Sequence, residues 1–409
     1  MVRNKVVIIS SGQPSLNPRL VKEADSLAGD GFLVTVLYSY WNTWGTELDI
    51  ALLSGKKWSS FCIGGDPKHK PLTYLFSRLL HKTAKIINQR TNGKILANLA
   101  IARTAWFLNR QAKRYKADLY IAHNLGALHA AVTAARVNQA KLGFDAEDFH
   151  RHENSDSIRN PDVVLKTTIE DRFIPLVDYL SASSPLIAAA YQKLFPGKMP
   201  EVLLNVFPTD SKIQLPEPKN IKPLRLFWFS QFIGSDRGLE DVIDAMMKVN
   251  GNDFELHLLG SVNENGKERF KNKLKNVFFH DPISPDQVTP FASHFDIGLA
   301  VETGKPVNRD ICLTNKIFTY LQAGLCVIAT DTSAQCQLMK QYPGMGGIYK
   351  KGDSLDLAKT LLHFHENRES LLEAKTTALS IAKRTLNWEV ESQKFLKLVR
   401  NTLEFTGIE

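Results

Sequence analysis

Several polar side chains stand where they could act on a phosphorylated ligand. Arg309 and Lys316 lie beside the start of a short helix. The free N–H groups of a helix N-terminus, with cations alongside, make a seat for a diphosphate. Arg237 stands at another helix start next to a loop, and its guanidinium carries a permanent charge suited to phosphate oxygens. His123 closes the strand-like run Asp118–His123 and reads either as a group near a ligand or as a satisfied histidine at a strand end. Gly12, after the first strand, lets a ligand approach the backbone. A further loop gathers Asp145, Glu147, Asp148, His150, His152 and Glu153. His150 and His152 alternate and share one side of an extended segment, which would suit a metal, although carboxylate-rich loops are also common surface features.

The elements that must position these groups follow from the pattern. Thr314 or Asn315 can cap a helix whose inner face is Ile317, Tyr320 and Leu321. Gly324 sits where such a helix stops, and Leu325–Ala329 is a continuous apolar run suited to a buried parallel strand. At the other end of the chain, Val6–Ser10 reads as a strand and Phe32–Tyr38 as the next. Between them lies a helix capped by Asn17, with Pro18 first and Leu20, Ala24 and Leu27 inward. This is the opening of a nucleotide-binding α/β fold without its usual glycine fingerprint. The alternation continues to residue 207, breaks in the proline-rich stretch 208–223, and restarts at Leu224. The expectation is therefore two Rossmann-like α/β domains, 1–207 and 224–386, joined by a linker at 208–223 and facing a central cleft. A C-terminal helix near 387–409 is expected to pack back on the first domain.

At 409 residues the chain can bury two cores, and no apolar run approaches the roughly 20 residues of a membrane-spanning helix. The four cysteines show no paired spacing, so a reduced, cytoplasmic protein is expected. Residues 1–205 hold 26 Lys/Arg against 17 Asp/Glu, which places the whole basic surplus in the first domain. It concentrates in 56–116, where Asp66 is the one acid. Leucines interleave these cations, so the stretch reads as a solvated helical face or as a contact with an anionic membrane surface. No nucleic-acid partner is expected, because no recognised binding module accompanies the charge.

The ordered pieces resemble the GT-B glycosyltransferases, specifically the retaining family-four, or group 1, sugar transferases. They are the Ser-Gly loop after the first strand, Asp118 to His123 with an Ala-rich helix after it, Asp145-Ala-Glu, Leu204-Asn205, Phe229-Ser-Gln with Arg237-Gly-Leu-Glu, and Asn315 through Ala329. The resemblance implies a nucleoside-diphosphate sugar as donor, held by the second domain, and a saccharide or lipid-linked acceptor on the first. It also implies no obligatory metal and no cofactor beyond that substrate. By the same resemblance His123 would lie near the transferred sugar, while Arg237 and Lys316 would neutralise the leaving diphosphate. Two departures stand out. Thr319 occupies the place of a family glutamate that binds ribose, which leaves Glu302 or Asp310 to supply the charge. Gln231 replaces the basic partner of Arg237. Gly12, Gln231, Asp310, Asn315 and Thr319 are thus the donor-binding candidates; His123, Arg237, Lys316 and Glu302 are the catalytic ones. The expected function is sugar transfer to a hydroxyl with retention, in bacterial envelope polysaccharide or glycolipid synthesis, by an enzyme resting on the inner face of the plasma membrane. The alternatives are a nucleotide-sugar 2-epimerase on the same fold and a non-catalytic sugar-nucleotide binder.

Overall fold

The computed structural model describes residues 3–214, 223–234 and 237–404. Half of the proposed linker 208–223, residues 215–222, lies outside them. The chain divides into two compact units: Met1–Leu204 with Pro306–Asn308 and Ser392–Glu409, and Asn205–Lys305 with Arg309–Glu391.

Unit 1 is built on a parallel sheet of seven strands. They are β1 (Lys5–Ser10), β2 (Leu33–Ser39), β3 (Ser59–Ile63), β4 (Leu119–His123), β5 (Lys141–Ala146), β6 (Tyr179–Ala182) and β7 (Glu201–Val202). Their order is β3-β2-β1-β4-β5-β6-β7. The central strands are apolar runs because helices cover both faces. Val6, Ile8, Val36, Leu119 and Ile121 pack with Leu20, Ala24 and Leu27 of the helix Pro18–Gly29. Asn17 caps that helix through a bond from the Leu20 N–H, with Pro18 at its first position. The last helix, Trp388–Glu404, adds Phe395, Leu396 and Val399 to the same core.

Unit 2 repeats the plan with β8 (Leu224–Phe232), β9 (Phe254–Ser261), β10 (Val277–His280), β11 (Ile297–Ala300), β12 (Cys326–Thr330) and β13 (Gly346–Tyr349). Their order is β10-β9-β8-β11-β12-β13, again all parallel. Leu226, Trp228, Leu256, Leu258, Leu299 and Ile328 form its core with helical Val242, Ile243 and Leu361. The helix Asn315–Gln322 lies hard against β11. A β-carbon at Gly298 would fall 2.2 Å from the Tyr320 ring, so the glycine lets that helix approach. Gly324 ends the turn after it with φ 69°, as the pattern requires. Capping differs from expectation. Thr314 holds the N-cap position with extended φ/ψ, yet its side chain caps nothing, and Asn315 is already the first helical residue.

Both strand orders reverse at the first strand of the sheet. In unit 1 the reversal lies between β1 and β4, and in unit 2 between β8 and β11. Such switch points open a crevice at the carboxyl ends of the strands, where ligands of this architecture bind.

Candidate functional site

In unit 2 the loops leaving β8 and β11 meet at the switch point. Gly238, with φ 77°, precedes the helix Leu239–Met246. A β-carbon there would lie 3.1 Å from the Glu302 N and 3.2 Å from the Val301 carbonyl carbon. Only glycine fits both the left-handed conformation and this approach, and the fit holds the loop bearing Arg237 against the loop bearing Glu302. Arg237 is half-buried and makes no hydrogen bond or ion pair among the described residues. Glu302, 3% exposed, accepts a 2.6 Å bond from Lys316 Nζ and lies 3.9 Å from Arg309 Nη1. Its backbone N–H donates to Thr330 Oγ1 at 2.9 Å. Lys316 sits in the first turn of its helix, 5.7 Å from the centre of the Trp228 ring. Two cations thus bracket one buried carboxylate beside a free arginine, an arrangement that can hold a ligand carrying several negative charges.

The other donor-binding candidates are placed as follows. Gln231 is exposed near the end of β8. Asn315 Oδ1 accepts from Asn205 Nδ2 at 2.8 Å. Asp310 accepts from the backbone N–H and hydroxyl of Ser333, at the start of the helix Ser333–Gln341, and lies 3.8 Å from Lys351 Nζ. Thr319 is 2% exposed within the helix Asn315–Gln322. Asp310 therefore serves as a helix cap, and Thr319 faces the interior.

In unit 1, His123 and Gly12 both lie at the β1/β4 switch point. Gly12 N–H donates to Ser10 Oγ at 3.1 Å. His123 is fully buried, with Nε2 2.9 Å from Glu23 Oε2 and Nδ1 3.0 Å from Glu147 Oε1. Burial opposes a charge on the ring, but Glu23, Glu147 and Asp145 outweigh it and push His123 up to about 10. Burial also works to raise Asp145, yet Arg19 and His123 hold it below its ordinary value. Arg19 grips Asp145 through two nitrogens and lies 3.5 Å from Glu23. Glu23, His123 and Asp145 are close enough to surround a metal ion. Arg19 and His123 already supply positive charge to Asp145 and Glu23, so these groups make a buried ion-pair network. Its partly exposed member is Glu147, which also accepts from Asn17. The two loop histidines diverge: His150 turns to Glu153 at 3.6 Å and His152 to Asp156 at 3.9 Å. Glu153 in turn binds Lys166 at 2.8 Å.

Residues 223–367, just over a third of the chain, match the family described as "Glycosyl transferases group 1". Among solved structures, Anabaena HepE in complex with UDP and glucose superposes with a TM-score of 0.67 at 14% identity, over 98% of this chain and 100% of that one. The sucrose-phosphate synthase of Thermosynechococcus elongatus gives 0.68 at 13% identity, over 98% and 99%. The lipopolysaccharide outer core galactosyltransferase WaaB gives 0.61 at 14%, over 97% and 99%. The fold is that of the GT-B glycosyltransferases. No curated protein matches the chain in sequence.

Within that GT-B frame, two features escaped the residue pattern. Arg19 and Glu23 each precede an inward residue, Leu20 and Ala24, and their spacing of four on a buried helical face is the signal that could have exposed the network. Asn124, directly after His123, has φ 60° and ψ 160°, a region nearly reserved for glycine. Its side chain accepts from Ser11 Oγ at 2.6 Å and donates to Ser10 Oγ at 3.2 Å, which pins the strained residue at the switch point.

Proposed function

We propose that the protein is a glycosyltransferase that moves a sugar from a nucleoside-diphosphate donor to an acceptor hydroxyl with retention of configuration. The observation that carries this reading is the unit 2 switch point, where unpaired Arg237 and the Lys316–Glu302 pair lie inside the segment matching group 1 glycosyl transferases. In the transfer, the bond from the anomeric carbon to the diphosphate oxygen breaks and a bond to the acceptor oxygen forms. The acceptor proton leaves with the departing diphosphate. Arg237 and Lys316 would meet the charge that grows on that leaving group, so the reading requires no metal. His123, sealed behind Glu147, would act by fixing that carboxylate and not by touching the sugar. Two of the similar structures are a protein in complex with UDP and glucose and a lipopolysaccharide outer core galactosyltransferase, which favours a uridine nucleotide donor and an envelope polysaccharide or glycolipid acceptor. Such an acceptor would place the enzyme at the inner face of the plasma membrane.

The test is release of nucleoside diphosphate from a panel of nucleotide sugars, with and without acceptors. Acceptor-dependent release that falls by about 10²-fold or more in Arg237→Ala is expected. Unchanged release in that variant would remove Arg237 from the site. Release without acceptor would point to an epimerase, and binding without any release to a sugar-nucleotide binder.

A further inference from the structure

The helix Pro71–Arg90 of unit 1 carries an arginine whose setting the transferase reading does not use. The Nη1 and Nη2 atoms of Arg78 are shielded from solvent and have no hydrogen-bond partner. A guanidinium taken out of water without an acceptor is costly, so a bare one marks a place where an anion belongs. Arg78 lies 4.4 Å over the Tyr74 ring, and Arg103 lies 4.1 Å over the Trp41 ring. Ring faces steady these cations but leave their N–H donors without a strong acceptor.

Among the described residues no carboxylate forms an ion pair with Arg78 or Arg103. Asp66 is the one acid in residues 56–116, and it is engaged by His69 and by the backbone N–H groups of Lys68 and His69. Burial and the nearby Arg78 both hold Arg103 below its ordinary value. His81, whose Nε2 lies 3.0 Å from the Ala100 carbonyl, is held down by burial and by Lys85, Arg103 and Arg78. Like charges therefore converge here, and no ion pair among the described residues engages Arg78 or Arg103.

The location ties this cluster to the ligand end of the sheet. Arg103 follows Ala102, and a β-carbon at Gly126 would meet both Ala102 and Ser11 at the β1/β4 switch point. The backbone N–H of Trp41 donates to Gln13 Oε1 at 3.0 Å, which ties the residue whose ring lies under Arg103 to the loop after β1. The same helix also leaves an apolar stripe in solvent. Leu72, Leu75, Phe76 and Leu79 recur at helical spacing and are 52–82% exposed.

We propose that Arg78 and Arg103 form a binding site for the phosphoryl group of a membrane-borne lipid, whose apolar part and neighbouring bilayer meet the Leu72–Leu79 stripe. A phosphate offers the acceptor oxygens the two guanidinium groups lack, and the apolar stripe selects an amphiphile over a soluble phosphate. Calling that lipid the sugar acceptor rests on the transferase reading. The binding itself does not, and it is read without turnover.

The test is co-sedimentation of the full chain with phosphatidylcholine vesicles, with and without phosphatidic acid, alongside calorimetric titration with inorganic diphosphate, all in the Arg237→Ala background so that uptake at the unit 2 switch point is suppressed. That parent chain is expected to bind the phosphatidic acid vesicles selectively and to take up diphosphate. Arg78→Gln with Arg103→Gln is expected to lose about 10-fold or more in both assays, at an unchanged melting temperature. Arg103→Gln alone serves if the double variant does not fold. Leu72→Ser with Leu79→Ser is expected to lose vesicles and keep diphosphate. Parental vesicle binding in the Arg78 and Arg103 variants would overturn the site. Equal binding to both vesicle types, or diphosphate uptake with no vesicle binding at low salt, would overturn the lipid as its source.

Discussion

Lys316 and Glu302 show how one residue can serve both ligand and fold. Their 2.6 Å pair is almost sealed from water, so removing the lysine alone leaves a buried carboxylate with only Arg309, 3.9 Å away, to oppose its charge. Lys316→Met is expected to cost about 3–5 kcal/mol in denaturant unfolding, and adding Glu302→Gln to restore most of it. Equal stability of both variants would mean the pair is solvated. His123 makes a different demand. Its folded-state value is near 10, above the ordinary 6.5, so its contribution is complete below about pH 6.5 and is lost as pH rises toward 10. Wild-type stability should therefore fall more steeply from pH 7 to 10 than that of His123→Gln, and parallel curves would contradict this. Residue types alone pointed to both His123 and Lys316. Their partners were not legible, because Glu23 and Glu147 reach His123 from separate elements far apart in the chain.

At the scale of elements, the alternating apolar runs foretold the central strands and the helix behind Lys316. Continuous burial leaves a continuous apolar signature. The strand Ser59–Ile63 was hidden because it is an edge strand with a largely exposed pattern. The helix Thr43–Leu53 was hidden because it buries only Gly45 and Asp49. Loop contacts were still less visible. Nothing in the spacing of Arg237-Gly-Leu-Glu shows that Gly238 must nearly touch the backbone at Glu302. Gly238→Ala should cost about 1–2 kcal/mol from the left-handed backbone alone and should weaken nucleotide binding as the two loops part. Calorimetric titration and thermal unfolding of that variant check both effects. Unaltered stability would mean the loop relaxes without strain.

For the whole molecule, two α/β units of like topology divide the chemistry unevenly. Unit 2 carries the family match and the Arg237–Glu302–Lys316 group. Unit 1 carries the basic stretch, the buried His123 network and the bare Arg78. The sequence reading of a paired α/β fold rested on a pattern that restarts after residue 223, and the two sheets repeat accordingly. The central claim is that the unit 2 switch point holds a nucleoside diphosphate, and thermal unfolding across UDP, GDP, ADP and their sugars tests it most directly. A ligand at 100 times its dissociation constant stabilises by about 2.7 kcal/mol. One nucleotide should therefore raise the melting temperature of the wild type clearly, and Arg237→Ala, which removes no hydrogen bond or ion pair among the described residues, should lose most of that rise. No shift with any nucleotide, or an identical shift in Arg237→Ala, would contradict the account.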